Sequence, residues 1–303
     1  MTTSDAAAHV EAWEALGHRI DVDGVEVWVA DLPAVDEQRP PVFVLHGFPT
    51  CSFDWHHVVE PLRRHRRVVL FDLPGFGLSA KPDRRYGIRF WADVAEGVLA
   101  HCGLAEIALV THDAGDTVGG ELLARDLDGE LHVAVTERVV TNGSIYLGLA
   151  HLTDGQNLLL SLPDARFDIA GPPDDRGGAY RRALAATCSA DHQPDDAELE
   201  AQWLLADRED GTSLLPRTIR YIEDRRAEEA RFTGAIEQHP SPLSILWGAV
   251  DPIADVAMVD SLVAARPDAR TVRLAGVGHY PMTEAPEQFT AALLDLLGEP
   301  PHL

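Results

Sequence analysis

The stretch VTHDAGD (Val110–Asp116) places an aspartate between an apolar run and the start of a predicted helix. A sharp strand–helix turn needs short side chains two positions before and two after its central residue, and Thr111 and Gly115 stand there. The first N–H groups of a helix favour an anion at that end. Although an aspartate before a helix is commonly an N-cap, Asp113 is therefore a candidate nucleophile.

Two further residues follow in the order nucleophile, acid, histidine that a catalytic triad can take along the chain. Asp251 lies just beyond the run LSILWG, and His279 lies in the loop after the run TVRLAG. Because a buried carboxylate holds an imidazole in one tautomer, we expect His279 to be a base and Asp251 its orienting acid. Asp255 is expected to be a helix cap or a surface charge.

The stretch LHGFPTCSFDW brings a loop after another apolar run. The backbone N–H of Phe48, together with that of Ala114, would form an oxyanion hole beside the nucleophile. His46 is expected to shape this loop and is a candidate for substrate contact. Asp116, in the first helical turn, is expected to cap the helix or to raise the pKa of Asp113.

Composition excludes several classes of function. The 303 residues include 25 basic and 49 acidic ones, a net charge of −24. Because this charge repels phosphate backbones and anionic membrane surfaces, the sequence predicts neither as a partner. The three cysteines lack CxxC spacing, and neither a disulfide framework nor a metal site is predicted. Without a signal peptide or an apolar run of about 18 residues, the sequence predicts a cytoplasmic protein with no membrane insertion and no cofactor.

Apolar runs alternate with helical stretches along most of the chain, which predicts an α/β fold with a mostly parallel sheet. The predicted strands are Val25–Leu32, Pro41–Gly47, Arg67–Asp72, Ile107–His112, Arg138–Gly143, Leu243–Gly248 and Ala269–Gly276. The predicted helices are Trp91–His101, Ala114–Leu127, Val256–Ala265 and Pro286–Leu297. Continuous apolar runs are typical of strands that helices cover on both faces.

The pattern is interrupted between Tyr146 and Gln238, where charged amphipathic stretches replace the apolar runs. We expect residues 146–238 to be a helical cap inserted into a core formed by residues 1–145 and 239–303. An independent second domain is the alternative, and it is disfavoured because the strand pattern resumes after the interruption.

Five motifs, in this order, resemble the α/β-hydrolase fold: HGFPT, FDLPGFGLSAKP, HDAGD, WGAVDPIAD and GVGHYPMTEAPEQF. Within that fold they are similar to the aspartate-nucleophile branch, which holds epoxide hydrolases and haloalkane dehalogenases. His112–Arg125 and Arg220–Arg226 also resemble the mesoderm-specific-transcript subgroup of this branch. The resemblance implies that Asp113 attacks carbon to form an ester and that water activated by His279 hydrolyses it.

A carboxylate suits this reaction because its reference pKa of about 3.9 leaves it ionised at neutral pH. A serine nucleophile would instead serve acyl transfer, but the chain has no G-x-S-x-G. GLSAK around Ser79 and NGSIY around Ser144 both fail the pattern. A serine hydrolase is therefore disfavoured.

The leaving group separates the members of the branch. Dehalogenases hold the halide with side-chain N–H donors at the positions of Ala114 and Phe48, and neither side chain can donate. Epoxide hydrolases protonate the leaving oxygen with cap tyrosines. The resemblance implies Tyr221 as one of them, with the second left open between Tyr146 and Tyr180.

The sequence therefore predicts an epoxide hydrolase for a small apolar substrate, working as a monomer or homodimer. A haloalkane dehalogenase or ester hydrolase with the same triad is one alternative. A ligand-binding protein that keeps the pocket without turnover is the other.

Overall fold

A computed structural model describes residues 3–35, 39–173 and 175–299. Its centre is a sheet of eight strands. They are β1 (His18–Val22), β2 (Val25–Leu32), β3 (Val42–Leu45), β4 (Val68–Phe71), β5 (Glu106–His112), β6 (Ala134–Thr141), β7 (Leu243–Gly248) and β8 (Arg270–Leu274). Their spatial order is β1-β2-β4-β3-β5-β6-β7-β8.

The sheet is mostly parallel, as the alternating pattern predicts. Strands β1 and β2 pair in an antiparallel hairpin, and β2 is also antiparallel to β4. From β4 to β8 every pairing is parallel, with Val44 opposite Leu70 on one side and Val110 on the other. Every residue of β3, β4 and β7 is buried, which explains their unbroken apolar sequences.

Twelve α-helices accompany the sheet in the described residues. Those outside the span from β6 to β7 are α1 (Thr3–Glu14), α2 (His56–Arg63), α3 (Ile88–His101), α4 (Ala114–Leu127), α10 (Ala257–Ala265), α11 (Pro281–Glu284) and α12 (Pro286–Leu296). Between β6 and β7 lie α5 (Asp154–Ser161), α6 (Gly178–Ala185), α7 (Asp196–Asp207), α8 (Leu215–Thr218) and α9 (Tyr221–Gln238). None of the helices in the described ranges combines the length and apolarity needed to cross a bilayer.

Residues 142–242, here called the inserted region, contribute helices and no strand of the sheet among the residues described. Helix α9 departs from helical geometry at Glu228 and packs along α4, which lies directly behind the sheet. The inserted region is thus continuous with the helical layer of the core. The division into a core and a cap at residues 146 and 238 stays a prediction.

Candidate active site

The turn between β5 and α4 holds Asp113 in an unusual backbone conformation, with φ 48° and ψ −115°. A non-glycine residue in such a conformation stores roughly 1–3 kcal/mol of strain. Gly115 permits the turn, because a Cβ at that position would lie 2.5 Å from the Leu45 carbonyl oxygen. The short residue expected there is therefore required by contact with β3.

The loop after β3 approaches the same turn. A Cβ at Gly47 would lie 2.6 Å from the Cβ of Asp113 and 2.9 Å from its Oδ2. This close approach lets the Phe48 N–H donate to Asp113 Oδ2 over 2.8 Å. Asp113 is only 2% exposed, so this fixed donor replaces water on one carboxylate oxygen.

The other oxygen of the carboxylate faces His279. Its Oδ1 lies 3.9 Å from His279 Nε2, and that nitrogen is buried without a hydrogen-bond partner among the described residues. On the opposite edge of the ring, Nδ1 lies 2.8 Å from Asp251 Oδ2. Because a carboxylate only accepts, Nδ1 carries a proton and Nε2 is the nitrogen directed at Asp113.

Asp251 is held by several donors that the sequence did not reveal. Asn142 Nδ2 donates to its Oδ2 over 2.8 Å, and the N–H groups of Ile253 and Ala254 donate to its Oδ1 over 2.7 and 3.1 Å. Burial raises the pKa of Asp251, but the charge and hydrogen bond of His279 and the Asn142 amide outweigh it and keep that pKa below its usual value. Asp251 is therefore ionised.

The pKa of His279 depends in turn on Asp251 and Asp113. Burial alone would lower the pKa of His279, yet the adjacent Asp251 carboxylate, assisted by the charge of Asp113, raises it. Both neighbouring carboxyl groups thus favour a positive charge on His279. Sequence reasoning missed Asn142, the polar partner of Asp251. Its position directly after β6 is a signal that could have found it, because the ends of parallel strands meet at one edge of the sheet.

Tyr221 is fully buried at the start of α9. Its ring centroid lies 5.7 Å from that of Phe48, the residue whose N–H binds Asp113. Burial and then the charge of Asp113 raise the pKa of Tyr221, partly offset by Arg225, whose guanidinium lies 5.1 Å from the ring centroid. The phenol therefore keeps its proton and can donate it.

The two candidates for a second proton-donating tyrosine, Tyr180 and Tyr146, lie in different places. Tyr180 lines a cavity next to the Phe48 loop, and its hydroxyl donates to the Pro49 carbonyl over 3.3 Å. The Tyr146 hydroxyl instead donates to Glu237 over 2.7 Å, and Tyr146 does not line that cavity. Tyr280, which the sequence did not single out, lines it as well and donates to the Phe48 carbonyl over 3.3 Å.

The cavity has a volume of about 190 Å³ and apolar walls. Its lining includes Leu159, Leu184 and Trp203 of the inserted region and Ile253 and Tyr280 of the core. Asp113 and His279 do not line it; it reaches their neighbourhood through Phe48 and Tyr280. Apolar walls of this kind bind apolar groups and offer them few hydrogen-bonding partners.

His46 does not offer a ring nitrogen to a substrate. Its Nε2 accepts the Leu73 N–H over 2.9 Å, and its Nδ1 donates to the Gly47 carbonyl over 2.8 Å. Burial lowers the pKa of His46, consistent with this neutral tautomer. Both ring nitrogens are thus bonded within the protein, and the residue shapes the loop that carries Phe48, while a substrate contact of His46 stays a prediction.

Asp116 is also placed differently from the expected cap. Its carboxylate accepts from the Thr111 hydroxyl, and its second oxygen lies where a side chain at Gly143 would have to be. Burial raises the pKa of Asp116 well above its usual value. The capping role is wrong because the side chain turns toward β5 and β6. Asp255, by contrast, accepts the Ala257 N–H over 2.8 Å as a cap would.

Comparison with known proteins matches residues 42–292 to the sequence profile described as the Alpha/beta hydrolase family. A Mycobacterium tuberculosis protein that carries the name hydrolase LipZ is 35% identical over 289 residues, covering 95% of this chain and 98% of the relative. The mouse mesoderm-specific transcript protein is 28% identical over 303 residues, covering 95% and 88%. The crystal structure of a bacterial membrane phospholipase A superposes with a TM-score of 0.73 at 20% identity, covering 97% and 91%.

Replacing Gly47 with alanine should displace the Asp113 side chain, because the new methyl group would overlap Asp113 Cβ. We expect a loss of about 1–3 kcal/mol in the free energy of unfolding, typical of overpacking, and a larger loss of turnover. Denaturant titration and steady-state kinetics measure the two effects. Gly148→Ala is the matched control, since nothing lies within 4 Å of a Cβ there. Equal behaviour of the two variants would contradict the close approach.

Proposed function

Because the chain belongs to the Alpha/beta hydrolase family, we propose that it hydrolyses a small apolar substrate through an aspartate nucleophile and that this substrate is an epoxide. One observation carries the proposal. The Phe48 N–H binds Asp113 Oδ2, while Oδ1 is left facing His279 Nε2 at 3.9 Å. Oδ1 is thereby left to attack carbon, and Oδ2 is held where negative charge develops in the later step.

In the first step, Asp113 Oδ1 attacks a carbon of the epoxide ring. A C–O bond forms to Oδ1, and the ring C–O bond breaks with its electron pair leaving on oxygen. A tyrosine hydroxyl, foremost that of Tyr221, donates a proton to this oxygen. The product of the step is a hydroxyalkyl ester of Asp113.

In the second step, His279 Nε2 removes a proton from a water molecule, which attacks Cγ of the ester. The negative charge develops on Oδ2, the oxygen that already accepts the Phe48 N–H. Ala114 begins α4, so its N–H has no partner within the helix and is free to be the second donor. Collapse breaks the Cγ–Oδ1 bond, and the departing alkoxide takes the proton held by His279, which releases the diol carrying the original Oδ1. The water oxygen stays in the regenerated carboxylate, and its remaining proton returns to the tyrosine that protonated the epoxide oxygen.

The leaving group favours an epoxide over a halide. Ala114 and Phe48 provide no side-chain N–H for a departing halide, whereas Tyr221 packs against Phe48 and the hydroxyl groups of Tyr180 and Tyr280 donate to carbonyls of the Phe48 loop. A haloalkane dehalogenase and an ester hydrolase share the triad and are the enzymatic alternatives. A binding protein without turnover is the non-enzymatic one.

Covalent trapping tests the first step. In His279→Gln the ester should form and persist, because no base activates water, and the intact protein should gain the full mass of the added epoxide. Intact mass spectrometry followed by peptide mapping locates the adduct at Asp113. Asp113→Ala is the control and should gain nothing.

Isotope labelling tests the second step in the unmodified enzyme. One turnover in oxygen-18 water should place the label in the peptide that carries Asp113. Product formation with neither an adduct in His279→Gln nor label in this peptide would overturn the aspartate mechanism.

Tyr221→Phe tests the leaving group. Loss of a proton donor should lower kcat for epoxides by about a hundredfold or more. Tyr86→Phe is the matched control, since Tyr86 is equally buried but its hydroxyl binds the Pro82 carbonyl. Diol formation from epoxides and halide release from haloalkanes are measured side by side. If the wild-type protein releases halide or cleaves esters and leaves epoxides intact, the epoxide assignment is wrong.

The pH dependence tests the electrostatics. The charge of Asp113 helps to raise the pKa of His279 in the free enzyme, and ester formation removes that charge. The pKa of His279 should therefore fall in the ester, and hydrolysis should accelerate with pH as the imidazolium loses its proton. Stopped-flow rates of ester hydrolysis, compared with an NMR titration of His279 in the free enzyme, give both pKa values. A higher pKa in the ester would contradict this arrangement.

A further inference from the structure

Away from the triad, we propose that His56, His57 and Glu198 bind a divalent transition-metal ion, with Zn²⁺ as the best match. His56 and His57 begin α2 of the core, and Glu198 lies in the first turn of α7 in the inserted region. One ligand atom from each residue lies within 4.8 Å of the other two. The proposal is independent of the reaction proposed above.

The tautomer of His56 is set by its neighbour. Its Nδ1 lies 2.8 Å from the Phe53 carbonyl oxygen, which can only accept, so Nδ1 carries a proton. The ring is also stacked on Phe53, with centroids 4.3 Å apart and planes inclined by 2°. A histidine that donates one ring N–H to a backbone carbonyl and presents the other nitrogen bare is the usual arrangement of a metal ligand.

That second nitrogen faces a carboxylate. His56 Nε2 lies 3.4 Å from Glu198 Oε2, so two atoms with lone pairs are directed at each other. Either a metal ion or a proton, carried by His56 Nε2 or by Glu198 Oε2, must lie between them. Gln202 Nε2 donates to the other oxygen, Oε1, over 3.3 Å, which directs Oε2 toward the histidine.

His57 supplies the third ligand. Its ring centroid lies 3.8 Å from that of His56, and the side chain is exposed, so it can turn toward the ion without disturbing the core. Two imidazoles and one carboxylate are the ligands that Zn²⁺ commonly takes when it keeps a fourth position open. A cavity of about 310 Å³, lined by His9, Trp13 and Glu60 as well as both histidines, adjoins the site and leaves room for water.

A bound ion would join α2 to α7 and so tie the core to the inserted region. Metal binding to the folded state alone stabilises it by mass action. The tag-free protein, stripped with EDTA, should therefore bind one Zn²⁺ per chain in calorimetry and unfold at a higher temperature with Zn²⁺ than without. Co²⁺ in its place should give the visible absorption of a four-coordinate ion.

Removal of a ligand should weaken Zn²⁺ binding at least about tenfold, the lower bound measured for partners that only orient metal ligands. His56→Gln, His57→Gln and Glu198→Gln are the test variants, and His57→Gln keeps the test valid if the two more buried changes impair folding. His132→Gln, an exposed histidine elsewhere, is the matched control and should bind as the wild type does. Absence of saturable binding in the wild type, or binding that survives all three changes, would overturn the proposal and assign the contact to a proton between His56 and Glu198.

Discussion

The backbone conformation of Asp113 is the constraint on which the site depends. At φ 48° the residue sits at the tip of a turn whose strain must be offset by its surroundings. A Cβ at position 115 would overlap the Leu45 carbonyl oxygen, and one at position 47 would overlap Asp113 itself, so no side chain fits at either position. The central parallel strands hold these segments rigidly, since β3 pairs with both β4 and β5. These contacts and the strained backbone therefore fix the position of the Asp113 carboxylate.

Charge balance follows from this placement. Asp113 and Asp251 both lie in a region that water hardly reaches, and each would be costly there alone. His279 lies between them, where their charges favour a positive charge on its ring. The Phe48 N–H and the Asn142 amide supply fixed dipoles in place of solvent. Such preorganised donors need no rearrangement when charge moves from one oxygen to another during the reaction.

The sequence predicted what depends on short-range pattern. The parallel strands appear as apolar runs, and the triad residues follow them at one edge of the sheet, so both could be inferred. Helix α1 was missed because its apolar positions are mostly alanine and mark no distinct hydrophobic face. Strand β1 was missed because it alternates charged and apolar residues at the edge of the sheet. Asp116 was wrongly expected to cap α4, because the space left by Gly143 depends on a distant segment. The choice between Tyr146 and Tyr180 likewise depends on how the inserted helices fold back.

Hydrogen bonds join the inserted region directly to the loop that carries His279. The His279 N–H donates to the Thr187 carbonyl over 3.2 Å, and Glu284 accepts the N–H groups of Ser189 and Gly278, each over 2.8 Å. Lifting the region away at this point would break these bonds and displace His279. Leu158 of α5 lines the cavity and is 60% exposed, so the cavity meets solvent beside α5. A movement of α5 alone would leave the contacts of Thr187 and Ser189 closed and His279 in position.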